Sequence, residues 1–448
     1  ALAVANGLLS QAFGANATAS GENSSAIGSY ATSSNSRSTA IGTGSATTRD
    51  DQLMLGKAAT EVTVANLSGT GTSLIVANAD GTLSRSTISD NGLESLNCEG
   101  DGANAVCYGP AANATGKNTT AIGAYANAAA SSNTTEFAAT AIGANSKAAE
   151  KYSTALGANA KAQDNRTTAV GAGASASNNA SSAFGFNATA SGYRSQTFGA
   201  YTEATQNATT ALGYSAKALA NRSIALGSFA NASENAAIAI GVSANASALQ
   251  SLAIGSNASA SCQKATAIGR GAEASGFSAT AIGVDSIANK GNAQAIGHNA
   301  IASGINSTAI GTSAEASGKY SSSFGTEANA TAEDAIAVGF LASASGDDSI
   351  AIGTSAVANK ANTTAIGTEA KASGENSTAS GDSATASGTN SSAFGFIATA
   401  SGGDSTSIGK SSSATQQGST AIGHLAQATG FRSTALGTGS KANAECAL

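Results

Sequence analysis

Along most of this chain small apolar residues alternate with polar ones, and a glycine preceded by a bulky apolar residue closes each run. Ala26-Ile27-Gly28, Ala211-Leu212-Gly213, Ala337-Val338-Gly339 and Ala393-Phe394-Gly395 are examples. These anchor glycines stand at Gly14, Gly28, Gly42 and Gly56, at Gly109 and Gly123, and then every 14 residues from Gly143 to Gly437, which makes 22 in unbroken register. Of the 28 anchors only one, Gly381, lacks the apolar residue before it and follows Ser380 instead. Counting from the anchor, positions +3 and +5 are nearly always small, as at Ala160 and Ala162 or Ala342 and Ala344, and +10 is Ser, Thr or Ala throughout the unbroken array. Self-similarity at a fixed short period is the signature of a solenoid.

Alternation over a few residues marks half-buried strands, and no helical period runs through the unit. Fourteen residues fit two strands of about five residues and two tight turns. The anchor glycine then serves a turn that needs positive φ or close backbone approach. Stacked coils would pair each strand with its copy in the next coil and satisfy the backbone. The interior is expected to hold alanines and one Ile, Leu or Phe per coil. At about 4.8 Å per coil, 22 coils would make a rod roughly 105 Å long. So thin a core buries little per residue, which predicts that several chains associate along the rod.

Composition alone suggests a disordered low-complexity chain, with 53 Gly, 1 Pro, no Trp and 11% charged residues. The charges argue otherwise. From Gly143 to Gly437, Lys, Arg, Asp and Glu occupy only positions +1, +2, +4, +7, +8 and +9, as at Lys161, Arg166, Arg222, Glu273 and Lys290. A disordered chain has no reason to exclude charge by phase. The net charge of −6 comes with no basic run, so nucleic acid is not an expected partner. No apolar stretch reaches 18 residues and the first residues lack signal-peptide features, so this segment is not expected to insert in a membrane. Ala3, Ala5 and Gly7 fall in phases +3, +5 and +7 of a repeat whose anchor would precede residue 1, and Leu448 stops short of the next anchor. The chain therefore reads as a piece of a longer protein.

Three regions follow: repeats at 1–56, an inserted β module at 57–107, and a long repeat array at 108–448. In the module, Glu61 to Leu67 and Ser73 to Ala77 read as strands, with Asp80-Gly81 as a hairpin turn before Thr82-Leu83-Ser84. Cys98 and Cys107 are close enough for a local disulfide, while Cys262, alone in a distant repeat like Cys446, is expected to be a free thiol. Six extra residues between Gly123 and Gly143, near 131–137 and including Phe137, predict a protruding loop.

Units such as Asn306-Ser307-Thr308-Ala309-Ile310-Gly311 and Asn23-Ser24-Ser25-Ala26-Ile27-Gly28 resemble the head of YadA-type trimeric autotransporter adhesins. The resemblance covers nearly the whole chain outside 57–107. It implies an all-β, left-handed parallel β-roll in each chain, a homotrimer, and display on a stalk at the bacterial cell surface, anchored to the outer membrane by parts outside this sequence. The segment from Asp51 to Gly56 is similar to the connectors these adhesins place between head blocks. The motif associated with binding in the collagen-binding member is N-S-V-A-I-G; Asn23, Ser24, Asn306 and Ser307 match it, whereas Ser25 and Thr308 stand where it has valine. That departure argues against collagen as the ligand and for residues that build the coil.

Enzyme chemistry finds little purchase. His298 and His424 are nine coils apart, both at corner position +1, and no triad, phosphate loop, zinc spacing or calcium-binding aspartate repeat is present. No cofactor or metal is expected. The Asn-x-Ser/Thr triplets at Asn16, Asn187, Asn231 and Asn329 follow from composition. Recognition fits better: Phe186, Tyr201, Tyr214 and Phe229 occupy +1 or +2 in four successive coils and should stack along one corner, facing either a ligand or a neighbouring chain. The expected function is attachment to an extracellular-matrix or host-cell surface protein, another bacterium or an inert surface. An ice-binding solenoid would need a uniform threonine ladder, but position +4 runs Lys147, Lys161, Ser175, Thr189, Glu203, Lys217. A purely structural spacer or self-association rod is the other alternative.

Overall fold

The computed structural model describes residues 2–57, 104–129 and 138–448, together with the backbone of two short strands, Ile75–Ala77 and Leu83–Arg85. The chain divides into two compact units, Ala1–Ser95 and Leu96–Leu448. No helix occurs among the described residues.

In the second unit each coil from Gly143 onward contributes one strand of three residues and one of two, for example Thr154–Leu156 and Lys161–Ala162, while the two coils before it carry the longer strand with only an isolated bridge in place of the shorter. The longer strands stack into one parallel sheet of 24 and the shorter into one of 22. Register is kept throughout: Thr154 pairs with Thr168, Ala155 with Ala169 and Leu156 with Val170. The strands are shorter than the five residues expected because the turns take the remainder. Each coil has two such turns, most of them closed by a backbone N–H bonded three residues back, as in Ala160 N to Gly157 O at 3.2 Å and Ser153 N to Glu150 O at 3.2 Å. The third turn residue has positive φ in both, Asn159 at 58° and Tyr152 at 57°, the pattern of a type II turn.

The anchor glycines meet both requirements read from the sequence. At Gly311 φ is +143°, and a Cβ there would lie 2.2 Å from the carbonyl oxygen of Gly325 in the next coil. Many phase +10 hydroxyls also gain a reason, since they turn back on their own turn: Thr167 Oγ1 donates to Asp164 O at 2.6 Å and Ser321 Oγ to Gly318 O at 2.7 Å, whereas Ser349, Ser391 and Ser405 Oγ are buried without a protein partner. A buried polar side chain satisfied within its own coil costs little.

One expectation is overturned. The bulky residue before the anchor lies outside the coil, and the inward positions are +3, +5, +10 and +12, filled by alanine, serine and threonine. Among the described residues no fully buried side chain is larger than threonine. The reason is alternation itself: Ala309, fully buried, forces its neighbour Ile310 onto the opposite face of the strand. The Ile, Leu, Val and Phe residues therefore form an outward apolar stripe along the larger sheet.

The first unit repeats this plan. A parallel sheet of Val4–Ala5, Thr18–Ala19 and Thr32–Ser33 faces one of Gln11–Phe13, Ser25–Ile27, Thr39–Ile41 and Leu53–Leu55. Ile75–Ala77 and Leu83–Arg85 pair antiparallel, with Val76 opposite Ser84. The expected strand from Glu61 and the Asp80-Gly81 turn lie outside the described residues.

The six-residue insertion leaves the ladder intact, because Thr120–Ile122 pairs directly with Thr140–Ile142 and Asn127 bridges to Lys147. By phase the insertion falls after Ala128 and before Ala139; Phe137 lies outside the described residues. Cys107 is disulfide-bonded and sits at the inward position of the strand Val106–Tyr108 that alanine holds in later coils. Its expected partner, Cys98, lies outside the described residues. Cys262 and Cys446 are free.

Candidate functional site

Every coil spends its inward positions on the core, so recognition can use only the outward strand positions and the two corners. The corner at +1 and +2 carries the aromatic residues. Phe186 meets Tyr201 with ring centroids 5.3 Å apart, Tyr201 meets Tyr214 at 5.7 Å, and Tyr214 meets Phe229 at 5.3 Å. All three contacts are edge to face, with interplanar angles of 83°, 81° and 78°. The zigzag has a local cause: Phe186 and Tyr214 stand at +1, whereas Tyr201 and Phe229 stand at +2 with φ of 58° and 59°. Successive rings thus leave the backbone in different directions, and edge-to-face pairs add about 0.5–1.5 kcal/mol each beyond area burial.

The rings remain 44–56% exposed. Positive φ disfavours bulky side chains, so Tyr201 and Phe229 occupy positions where asparagine, as at Asn159, would be less strained. Beside the ladder, Phe184 and Phe198 stack face to face at 4.9 Å on the outward stripe. Coils 185 to 227 are thus the most aromatic stretch of the array.

Charged side chains pair along the rod at its corners and on the +4 line. Lys217 lies 3.2 Å from Glu203, Arg270 3.2 Å from Asp285 and Lys319 3.0 Å from Glu333, all solvent-exposed. The Glu333 carboxylate raises the Lys319 ammonium above its ordinary value, and in the first unit the Arg37 guanidinium, 2.7 Å from Asp51, lowers that carboxyl. Such exposed pairs contribute little to stability.

Asn23 and Asn306 fill the positive-φ turn position, and Asn306 accepts a hydrogen bond from Asn292 Nδ2 at 2.9 Å. Ser24 and Ser307 are wholly buried; Ser24 Oγ donates to Ser33 O and Ser307 Oγ to Gly304 O. The coil itself accounts for all four. His298 and His424 are exposed on the +1 corner, nine coils apart. Among the described residues no group of His, Cys, Asp and Glu could hold a metal ion. The strict Ala-then-Ile alternation puts the two residues on opposite faces, and the outward stripe follows once alanine is the one inside.

A regular parallel solenoid with small residues buried leaves its outward strand faces and its corner ladders as the surface open to recognition. The matching family model is the YadA head domain repeat, found at residues 19–45, at 101–130 and in fourteen further segments from 137–160 to 428–445. The chain belongs to this family. No curated protein matches the chain. Among solved structures, the collagen-binding domain of the Yersinia adhesin YadA is similar at 20% identity, over 45% of this chain and 66%, just under two thirds, of that one. The TM-score is 0.11, at which the two do not superpose as wholes.

Proposed function

We propose that this chain is the adhesive head of a trimeric autotransporter displayed at a bacterial surface, where it attaches the cell to a protein of the host matrix or host surface. Membership of the YadA head family supports an adhesin role. The outward apolar stripe supports association: Ile310, Ile352, Ile366 and Ile408 are each about 40% exposed along one line, and soluble monomers rarely leave such patches uncovered. Three chains packed through this stripe in left-handed rolls would supply the burial that an interior of alanine, serine and threonine lacks.

The observation that carries the binding role is the aromatic ladder from Phe186 to Phe229, exposed, with Tyr201 and Phe229 held at strained turn positions. The test is the double substitution Tyr201→Ser with Tyr214→Ser, measured against immobilised matrix proteins and host-cell receptors. Loss of adhesion with the assembly intact by sedimentation supports this reading. Dissociation would assign the ladder to a contact between chains, and unchanged adhesion would remove it from function.

A further inference from the structure

The opposite corner, at +7 to +9, carries a second feature. In the coils anchored at Gly199, Gly213, Gly227 and Gly241, position +8 is Asn207, Asn221, Asn235 and Leu249, and +9 is Ala208, Arg222, Ala236 and Gln250. These eight residues line an open groove of about 590 Å³. Side-chain length alternates along it, short at each alanine and long at Arg222 and Gln250, a two-coil repeat of about 9.6 Å.

Ala208 and Ala236 both hold φ of 55°. Asparagine suits that conformation better. It fills the same phase at Asn362, Asn376 and Asn390, which also bond side chain to side chain at 3.1 and 3.2 Å. Coil stability therefore favours asparagine here, and what alanine supplies instead is room.

The carboxamides above are oriented. Tyr193 N donates to Asn207 Oδ1 and Asn207 N to Asn221 Oδ1, each at 3.2 Å. Both amide oxygens are thus engaged by the rod, while the amino groups bond to no described residue. Arg222 adds a charged donor and Glu234, at the adjoining +7 position, an exposed acceptor. At one end stands Tyr193, one ring face covered by Arg194 at 5.0 Å, and at the other the exposed Leu249.

From this arrangement we infer that the groove from Asn207 to Gln250 binds a neutral oligosaccharide. Arg222 and Glu234 bring opposite charges that offset each other for an anionic chain, and an apolar peptide would leave the carboxamides unpaired on burial. A sugar chain offers hydroxyls that accept from the amide nitrogens and donate to Glu234, and C–H faces that lie on Tyr193 and Leu249. The site stands on a corner separate from the aromatic ladder, and the two readings fail independently.

The test is calorimetric titration of the assembled protein with cellotetraose, chitotetraose and a heparin-derived tetrasaccharide. Ala208→Gln with Ala236→Gln fills both short positions with the uncharged residue that phase already carries at Gln250, where φ is 57°, so the coil is retained. A neutral tetrasaccharide should bind the parent protein, with affinity falling about tenfold or more in this variant and in Asn221→Ala, the scale of one or two lost hydrogen bonds. Tyr214→Ser should leave it unchanged. Absence of neutral binding, equal affinity in the filled variant, or salt-sensitive binding of the sulfated chain alone overturns the inference. So does dissociation of the filled variant, which would make the groove a contact between chains.

Discussion

Replacing an anchor glycine by alanine tests the physics of the coil most directly. At Gly311 the backbone holds φ of +143°, and a Cβ would stand 2.2 Å from Gly325 O and 2.5 Å from Gly325 C. The conformation alone costs about 1–3 kcal/mol for any other residue. The overlap is with backbone, so it is relieved only if the next coil moves away by most of an ångström and stretches hydrogen bonds such as Gly325 N to Ile310 O at 2.8 Å. Forcing extra volume into a packed site costs about 1–3 kcal/mol more, giving roughly 2–6 kcal/mol for Gly311→Ala. Two other glycines separate the contributions. Gly44 has φ of +71° with its nearest neighbour, Lys57 Cδ, at 3.7 Å, so Gly44→Ala should cost only about 1 kcal/mol. Gly291 lacks positive φ, and a Cβ there would meet no atom within 4 Å, so Gly291→Ala should stay within about 0.5 kcal/mol. Because each coil touches only its neighbours, the damage should be local. Hydrogen exchange by mass spectrometry should show lost protection in the coils flanking residue 311 and none around residue 291. Equal protection in the two variants would refute the argument.

Further expectations concern the core, the stripe, the cysteines and pH. Ala309→Leu places a side chain larger than threonine in a fully buried position and should destabilise by about 1–3 kcal/mol or more in a thermal melt. Its neighbour gives the opposite result: Ile310→Asp should leave the coil's circular dichroism intact and weaken self-association in sedimentation equilibrium. Proteolysis without reductant should yield a peptide joining Cys98 to Cys107 that separates on reduction, with Cys262 and Cys446 remaining available to alkylation. Asp51, lowered by its hydrogen bond to Arg37, supports the fold above the ordinary carboxylate range and loses that contribution as pH falls through its depressed value. Arg37→Gln should return its titration, followed by NMR, to the ordinary range with little change in melting temperature.

The 14-residue period, the two strands per coil, the parallel stacking and the anchor glycine's dual role were all legible in the sequence. Each is a local demand that every copy restates, so the pattern accumulates over 22 register-true coils. The contact among Phe186, Tyr201, Tyr214 and Phe229 was legible for the same reason, since stacking turns a fixed phase into spatial adjacency. Hydrophobicity alone, however, pointed Ile310 inward. Only the tertiary structure decided the matter, because the distance between the two sheets admits nothing larger than threonine and sends the larger apolar residues out. The groove at Asn207 to Gln250 was hidden for a related reason. It arises from alternating side-chain length in adjacent coils and from carboxamides pinned by the coil before, and neither exists until residues 14 apart become neighbours.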